Sequence, residues 1–158
     1  MTVSRPLRAA RVGVFSALSG IGSTIPFPSP IGTIAFDSAP GFFAALHFDA
    51  VDGALICGIG HAITSIIHGF PLGPLHAAIA LGMALTGFAV AVVNTKLGVV
   101  PASVVGVAIN TALFPLAAPV MGWAGAVTLI PYLLVAASLN ASIAAAVHKS
   151  IKAVRPIR

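Results

Sequence analysis

"PFPSPIGTIAFDSAPG", residues 26–41, decides how this chain is read. It holds four prolines, two glycines and one acid. Proline and glycine interrupt helices. Long apolar runs lie on either side of it. A broken, charged segment between apolar runs needs a physical reason.

The whole chain sets the frame. It has 158 residues, 58% hydrophobic and 7% charged. A soluble domain carries roughly 25% charged residues, so these charges are too few to build a soluble surface. The reading is an all-α integral membrane protein, one domain over 1–158 with no linker. Ala and Gly are abundant, which lets helices approach closely in lipid. The net charge of +5 sits at the ends of apolar runs, where topology explains it without nucleic acid. Cys57 lies in an apolar run and reads as a small buried hydrophobe. Ser19-Gly20-Ile21-Gly22 could pass for a cleavage region, but the first run reads better as a retained helix.

A membrane helix needs about 20 apolar residues. Span 1 is expected over 7–25. A short helix follows at 39–48, with Asp37 or Ser38 as its cap and Pro40 in its first turn. Asp49, Ala50 and Asp52 break the chain. Span 3 is expected over 51–68, span 4 over 75–95, span 5 over 99–118 and span 6 over 123–148. Turns fall at 68–74, 96–98 and 119–122. With six spans and both ends cytoplasmic, Arg5, Arg8, Arg11, Lys96, Lys149, Lys152, Arg155 and Arg158 all fall on the cytoplasmic side. That satisfies the positive-inside rule.

This topology puts 26–38 on the outer face. Helix 2 rises only about 15 Å, half a bilayer. The extended residues before it supply the missing half, and such backbone is tolerated at membrane depth only where protein buries it or water lines it. The expectation is a compact six-helix bundle with a re-entrant loop 1 facing an outward cavity.

Polar residues within the membrane are functional candidates. Asp37 and Phe36 enter from the loop. His61, with Thr64 or Ser65 and His68, shares one face of span 3. His76 starts span 4. Ser103, Gly106, Asn110 and Phe114 form a stripe on span 5. Thr128, Tyr132 and Asn140 lie near one face of span 6, where Pro131 kinks the helix. Each has a plainer reading. Asn and His glue helices together, Asp37 can cap helix 2, and His68 and His76 can be interfacial. The case for a site is their convergence.

No Lys or Arg reaches the outer half, so a strong anion has no partner there. A neutral, hydrogen-bonding solute with an apolar ring fits better, with Phe27, Phe36, Phe70 and Trp123 near the mouth. The spacing of His61, His68 and His76 is not chelating on one helix, so neither metal nor cofactor is expected. The chain has no glutamate and no nucleotide-binding motif, so it is not expected to be an enzyme or to hydrolyse ATP by itself. Ala9, Gly13 and Ala17 form a small-xxx-small ridge on span 1. It either packs inside the bundle or docks another membrane subunit.

These features resemble a family. A six-span chain of this length, with both ends inside, is similar to the substrate-binding S component of energy-coupling factor (ECF) vitamin transporters. The Ala9/Gly13/Ala17 ridge resembles the family's alanine-rich motif on helix 1. "PSPIGTIAFDSAPGFFAALHF" and "GIGHAITSIIHGFPLGPLHAAIALGMA" resemble the subset that transports α-ribazole, a cobalamin precursor. The general likeness covers about residues 9–148 and the specific motifs 28–84.

The resemblance implies a vitamin-uptake subunit of the bacterial cytoplasmic membrane. Its partners would be a transmembrane coupling subunit and two ATPases, with 26–37 and 68–74 as lids over the vitamin. The convergence argued above makes Asp37, Phe36, His61, His68, His76, Asn110 and Tyr132 the expected substrate contacts, and the resemblance implies that Ala9, Gly13 and Ala17 dock the coupling subunit. Metal-transporting relatives carry a Met-His start, whereas this chain begins Met1-Thr2-Val3. α-Ribazole is a neutral nucleoside with an apolar benzimidazole, which suits the charge inventory. The alternatives are an S component for another vitamin, or a small oligomeric membrane channel or scaffold.

Overall fold

The computed structural model describes residues 3–154. Met1, Thr2, Arg155 and Arg158, which entered the sequence argument, lie outside them. Seven α-helices follow in order: α1 Arg5–Ser23, α2 Ala39–His47, α3 Ala50–Ile67, α4 Leu75–Leu97, α5 Val99–Ala112, α6 Ala118–Thr128 and α7 Ile130–Val154. A 3-10 turn, Phe114–Ala117, joins α5 to α6. The only β pairing among the described residues is a single bridge between Pro26 and Ala35.

The outer surface of the bundle is apolar, and its interior mixes apolar and polar side chains. Leu81, Leu85 and Val104 are 69%, 68% and 63% exposed, while Asp52, Thr64, Ser65, Thr86 and Asn140 are buried. Water would penalise that arrangement, and a hydrocarbon surround favours it. Four helical segments are long and apolar enough to cross a membrane: Ala50–Ile67, Leu75–Leu97, Val99–Thr128 and Ile130–Val154. α1 carries three arginines and turns Ser16, Ser19 and Ser23 inward, with Val14, Leu18 and Ile21 outward.

α2 is the hub. It has nine residues, and Gly41 through Leu46 are all buried. It packs against α1, α3, α4, α5 and α7. Phe42 and Phe43 centre the main core, with Cys57, Met83, Val90 and Ala102 around them. Gly53 permits the α2–α3 contact: a Cβ there would stand 2.6 Å from the Ala45 Cβ.

Several expected boundaries move. The expected break between the second and third helices falls at Phe48 and Asp49, and Ala50 already belongs to α3. Asp49 caps α3, its Oδ1 accepting from the amides of Val51 and Asp52 at 2.9 and 2.8 Å, and Asp52 lies inside the helix. α4 runs through Leu97, so only Gly98, at φ 88°, makes the turn. α5 ends at Ala112, six residues before the expected end, and the 3-10 turn takes up the difference. In the 119–122 turn the non-helical residue is Gly122, at φ 71°. The expected span 6 is interrupted at Leu129 before α7. Pro131 lacks an amide hydrogen, so the i to i−4 ladder fails there.

Opposite the 26–38 loop, an ion cluster ties α1 to α3. Arg8 donates from Nε to Asp52 at 2.9 Å and from Nη2 to Asp49 at 2.7 Å. Arg11 donates to the other Asp52 oxygen at 3.2 Å and stacks over the Phe48 ring at 4.3 Å. Partial burial pushes the Asp49 pKa up. Hydrogen bonds from the Asp52 amide and from Arg8 outweigh it and hold the carboxyl below the usual aspartate range.

Candidate functional site

The 24–38 segment has two halves. In the outer half, Pro26, Pro28 and Pro30 are exposed; in the inner half, Thr33, Ile34, Ala35, Asp37 and Ser38 are buried. The halves are tied by the Phe27 amide, which donates to the Ile34 carbonyl at 2.7 Å. The inner half passes so close to α1 that a side chain at Gly22 would collide with the Phe36 carbonyl.

Asn140 clamps this inner half to α7. Its Nδ2 donates to the carbonyls of Ala35 and Ala136 at 3.0 and 2.9 Å, and its Oδ1 accepts from the Ala39 amide at 2.8 Å. Asn140 lies ten residues into α7, about 15 Å along that helix. The start of α2 is therefore capped across the bundle. Ser38 occupies the N-cap position without a side-chain capping bond. Asp37 is committed elsewhere, accepting from Thr64 Oγ1 at 2.7 Å and Ser38 Oγ at 3.0 Å.

Above α2 these elements leave a cavity. It measures about 60 Å³, room for no more than a few waters. Asp37, His61, Asn110 and Asn140 are polar side chains in its wall, and Met83 and Phe114 are among the apolar ones. Asn140 is fully used by backbone. Asn110 has no protein hydrogen-bond partner among the described residues, and its amide is not sealed from water. It offers both a donor and an acceptor to whatever fills the cavity.

The other expected site residues sit around this cavity without lining it. Phe36 is half-buried, its backbone against α1. His68 is a C-cap residue: its Nδ1 lies 2.9 Å from the Thr64 carbonyl and its ring packs on Gly32. His76 is buried behind His61, with Nδ1 3.2 Å from His61 Nε2. Tyr132 packs with Ile34, Leu72 and Leu129 in the cluster beside the cavity. Phe70 and Trp123 are exposed. Ser103 lines an outer groove between α5 and α7 rather than the cavity. Among the described residues, no three His, Cys, Asp or Glu side chains gather to hold a metal ion.

Ala9, Gly13 and Ala17 are all exposed on α1, and the space around a Gly13 side chain is open. Beside them, Phe15, Leu18, Pro40, Phe43 and Val147 line an apolar groove where α1 and α7 flank the short α2.

Sequence reasoning offered Asn140 as glue between helices but missed its backbone partners in the loop, and it missed the Arg8/Arg11–Asp49/Asp52 cluster. The cluster had a signal: two arginines and two aspartates, each pair three apart, in a chain with three acids.

Comparison with protein-family models, with curated proteins and with solved structures finds no match to the chain in any of the three. The class supported by fold and composition is a multi-helix protein with four helices able to cross a membrane. Its function rests on its own chemistry.

Proposed function

We propose that the protein is a membrane-embedded substrate-binding subunit that captures a small neutral solute in the cavity beneath the 26–38 loop. One observation carries this reading. Asp37, His61 and Asn110, from the loop, α3 and α5, meet at one cavity, and Asn110 has an unspent amide. In this reading α1 and the short α2 complete six spans, and the 26–38 loop is re-entrant from the outer face. The Arg8 and Arg11 end is cytoplasmic, in keeping with Lys96, Lys149 and Lys152 at the same end.

The ligand chemistry follows from the wall. It contains one carboxylate, amide and imidazole groups and no cation, so an anionic ligand has no counter-charge. The apolar residues favour a ring. A nucleoside-like vitamin precursor such as α-ribazole satisfies these terms. Ligand pockets usually measure about 300–1,000 Å³, so capture requires the 26–38 loop and the 68–74 turn to lift. The exposed Ala9/Gly13/Ala17 ridge supports docking to a coupling subunit of an ECF-type importer, whose ATPases would supply the energy. A through-channel is disfavoured, because Phe42, Val90 and Ala102 fill the bundle below the cavity.

The test is mass spectrometry of small molecules released from the purified protein, followed by a thermal-shift panel. Stabilisation by α-ribazole or another neutral ring-bearing solute is expected. Stabilisation only by anionic vitamins would overturn the reading.

A further inference from the structure

We infer that seating of the 68–74 turn makes His61 a fixed hydrogen-bond donor to the cavity, so that the ligand group it meets is an acceptor. The ligand part of this inference rests on the binding role proposed above; the relay that sets the donor does not.

The argument starts from one backbone amide. An amide N–H only donates. The Leu72 amide donates to His76 Nε2 at 3.2 Å, so that nitrogen bears a lone pair and no proton. A neutral imidazole has a single N–H, which places the His76 proton on Nδ1. That atom lies 3.2 Å from His61 Nε2, which therefore accepts. The His61 proton is then on Nδ1. A charged His76 would set its Nε2–H head-on against the Leu72 N–H.

His61 Nδ1 has no protein partner among the described residues and is not sealed from water, and its ring lines the cavity. The relay thus runs from the turn to the site: Leu72 N–H to His76, His76 N–H to His61, His61 N–H to the ligand. Phe70, at φ 53°, covers the His76 ring edge-on at a centroid distance of 6.0 Å. When the turn lifts, the Leu72 amide leaves, both His76 tautomers become available and the polarity of His61 is no longer set. His76 is a positioning residue in this scheme: it acts on the ligand through His61.

The test is nitrogen NMR of the full-length protein in micelles, with labelled histidine rings and no ligand. His61 and His76 should both carry their proton on Nδ1. A proton on His61 Nε2, or an imidazolium at either residue, overturns the inference. In His76→Phe, His61 should become a tautomer mixture; a His61 that keeps its Nδ1 proton there overturns it too. The wild-type spectrum decides if that variant does not fold. A second arm compares benzimidazole riboside, which has an imine acceptor, with indole riboside, which has none. The first should bind about tenfold more tightly, the worth of one hydrogen bond, and equal binding overturns the inference. If neither binds, the proposed ligand class fails, while the tautomers still judge the relay.

Discussion

Asn140 accepts a hydrogen bond from the Ala39 amide at 2.8 Å across 101 residues of sequence. The first amides of a helix have no intrahelical partner, and here α7 supplies one for α2. The same side chain holds the Ala35 carbonyl, so one amide group fixes both the loop and the helix it leads into. Asn140→Leu keeps the volume and orphans both backbone groups. It should lower stability by about 1–3 kcal/mol, read as an earlier thermal unfolding in detergent. An unchanged transition would mean the loop is held elsewhere.

Asp37 lines the cavity and accepts from Thr64 and Ser38. Asp37→Ala should weaken ligand binding about tenfold, the worth of one hydrogen bond, while circular dichroism still reports a helical bundle. Binding equal to wild type would confine Asp37 to bracing Thr64 and Ser38.

The Arg8–Asp52 pair ties α1 to α3 at the opposite end. Asp52 is fully buried and the Arg8 side chain is 31% exposed. Breaking a fully buried pair costs about 3–5 kcal/mol. Arg8→Ala should cost less, about 2 kcal/mol, because solvent screens the exposed partner and Arg11 remains. Arg5→Ala, at an exposed position, should stay within about 0.5 kcal/mol. Urea unfolding of the two variants in the same detergent gives the comparison. Equal effects would show that the ion cluster is not what holds α1.

Asp49 gives this end an acid limit. Its folded pKa is depressed, so its contribution is complete above the unfolded value of about 3.9. That contribution is lost as pH falls through the lower folded value. Stability measured from pH 6 to pH 3 should decline at the acid end, and Asp49→Asn should flatten part of that decline. An Asp49→Asn curve parallel to wild type would contradict the linkage.

Much of the architecture was legible because membrane helices announce themselves by length. The short α2 was legible from Pro40 and the two acids that follow the helix. The break at Leu129, ahead of Pro131, and the turn at Gly122 follow from a missing amide hydrogen and a missing Cβ. The end of α5 was missed because hydropathy over 113–121 stays apolar; the signal was Pro115, which cannot donate to the helical ladder and opens the 3-10 turn. Asp37, His61 and Asn110 were legible as isolated polar residues in apolar surroundings. The work of Asn140 was not, because its partners are backbone groups of Ala35 and Ala39, which sequence pattern does not mark. His76 showed the opposite problem: its residue type suggested the cavity, but its register puts it one layer behind.

The central claim is that the cavity beneath the 26–38 loop binds a neutral solute. Isothermal titration calorimetry of the purified protein with α-ribazole tests it most directly, with Asn110→Leu in parallel. Saturable one-to-one binding by wild type, weakened about tenfold or more by loss of the unspent amide, is the predicted result. Absence of heat with wild type, or equal affinity in Asn110→Leu, would contradict it.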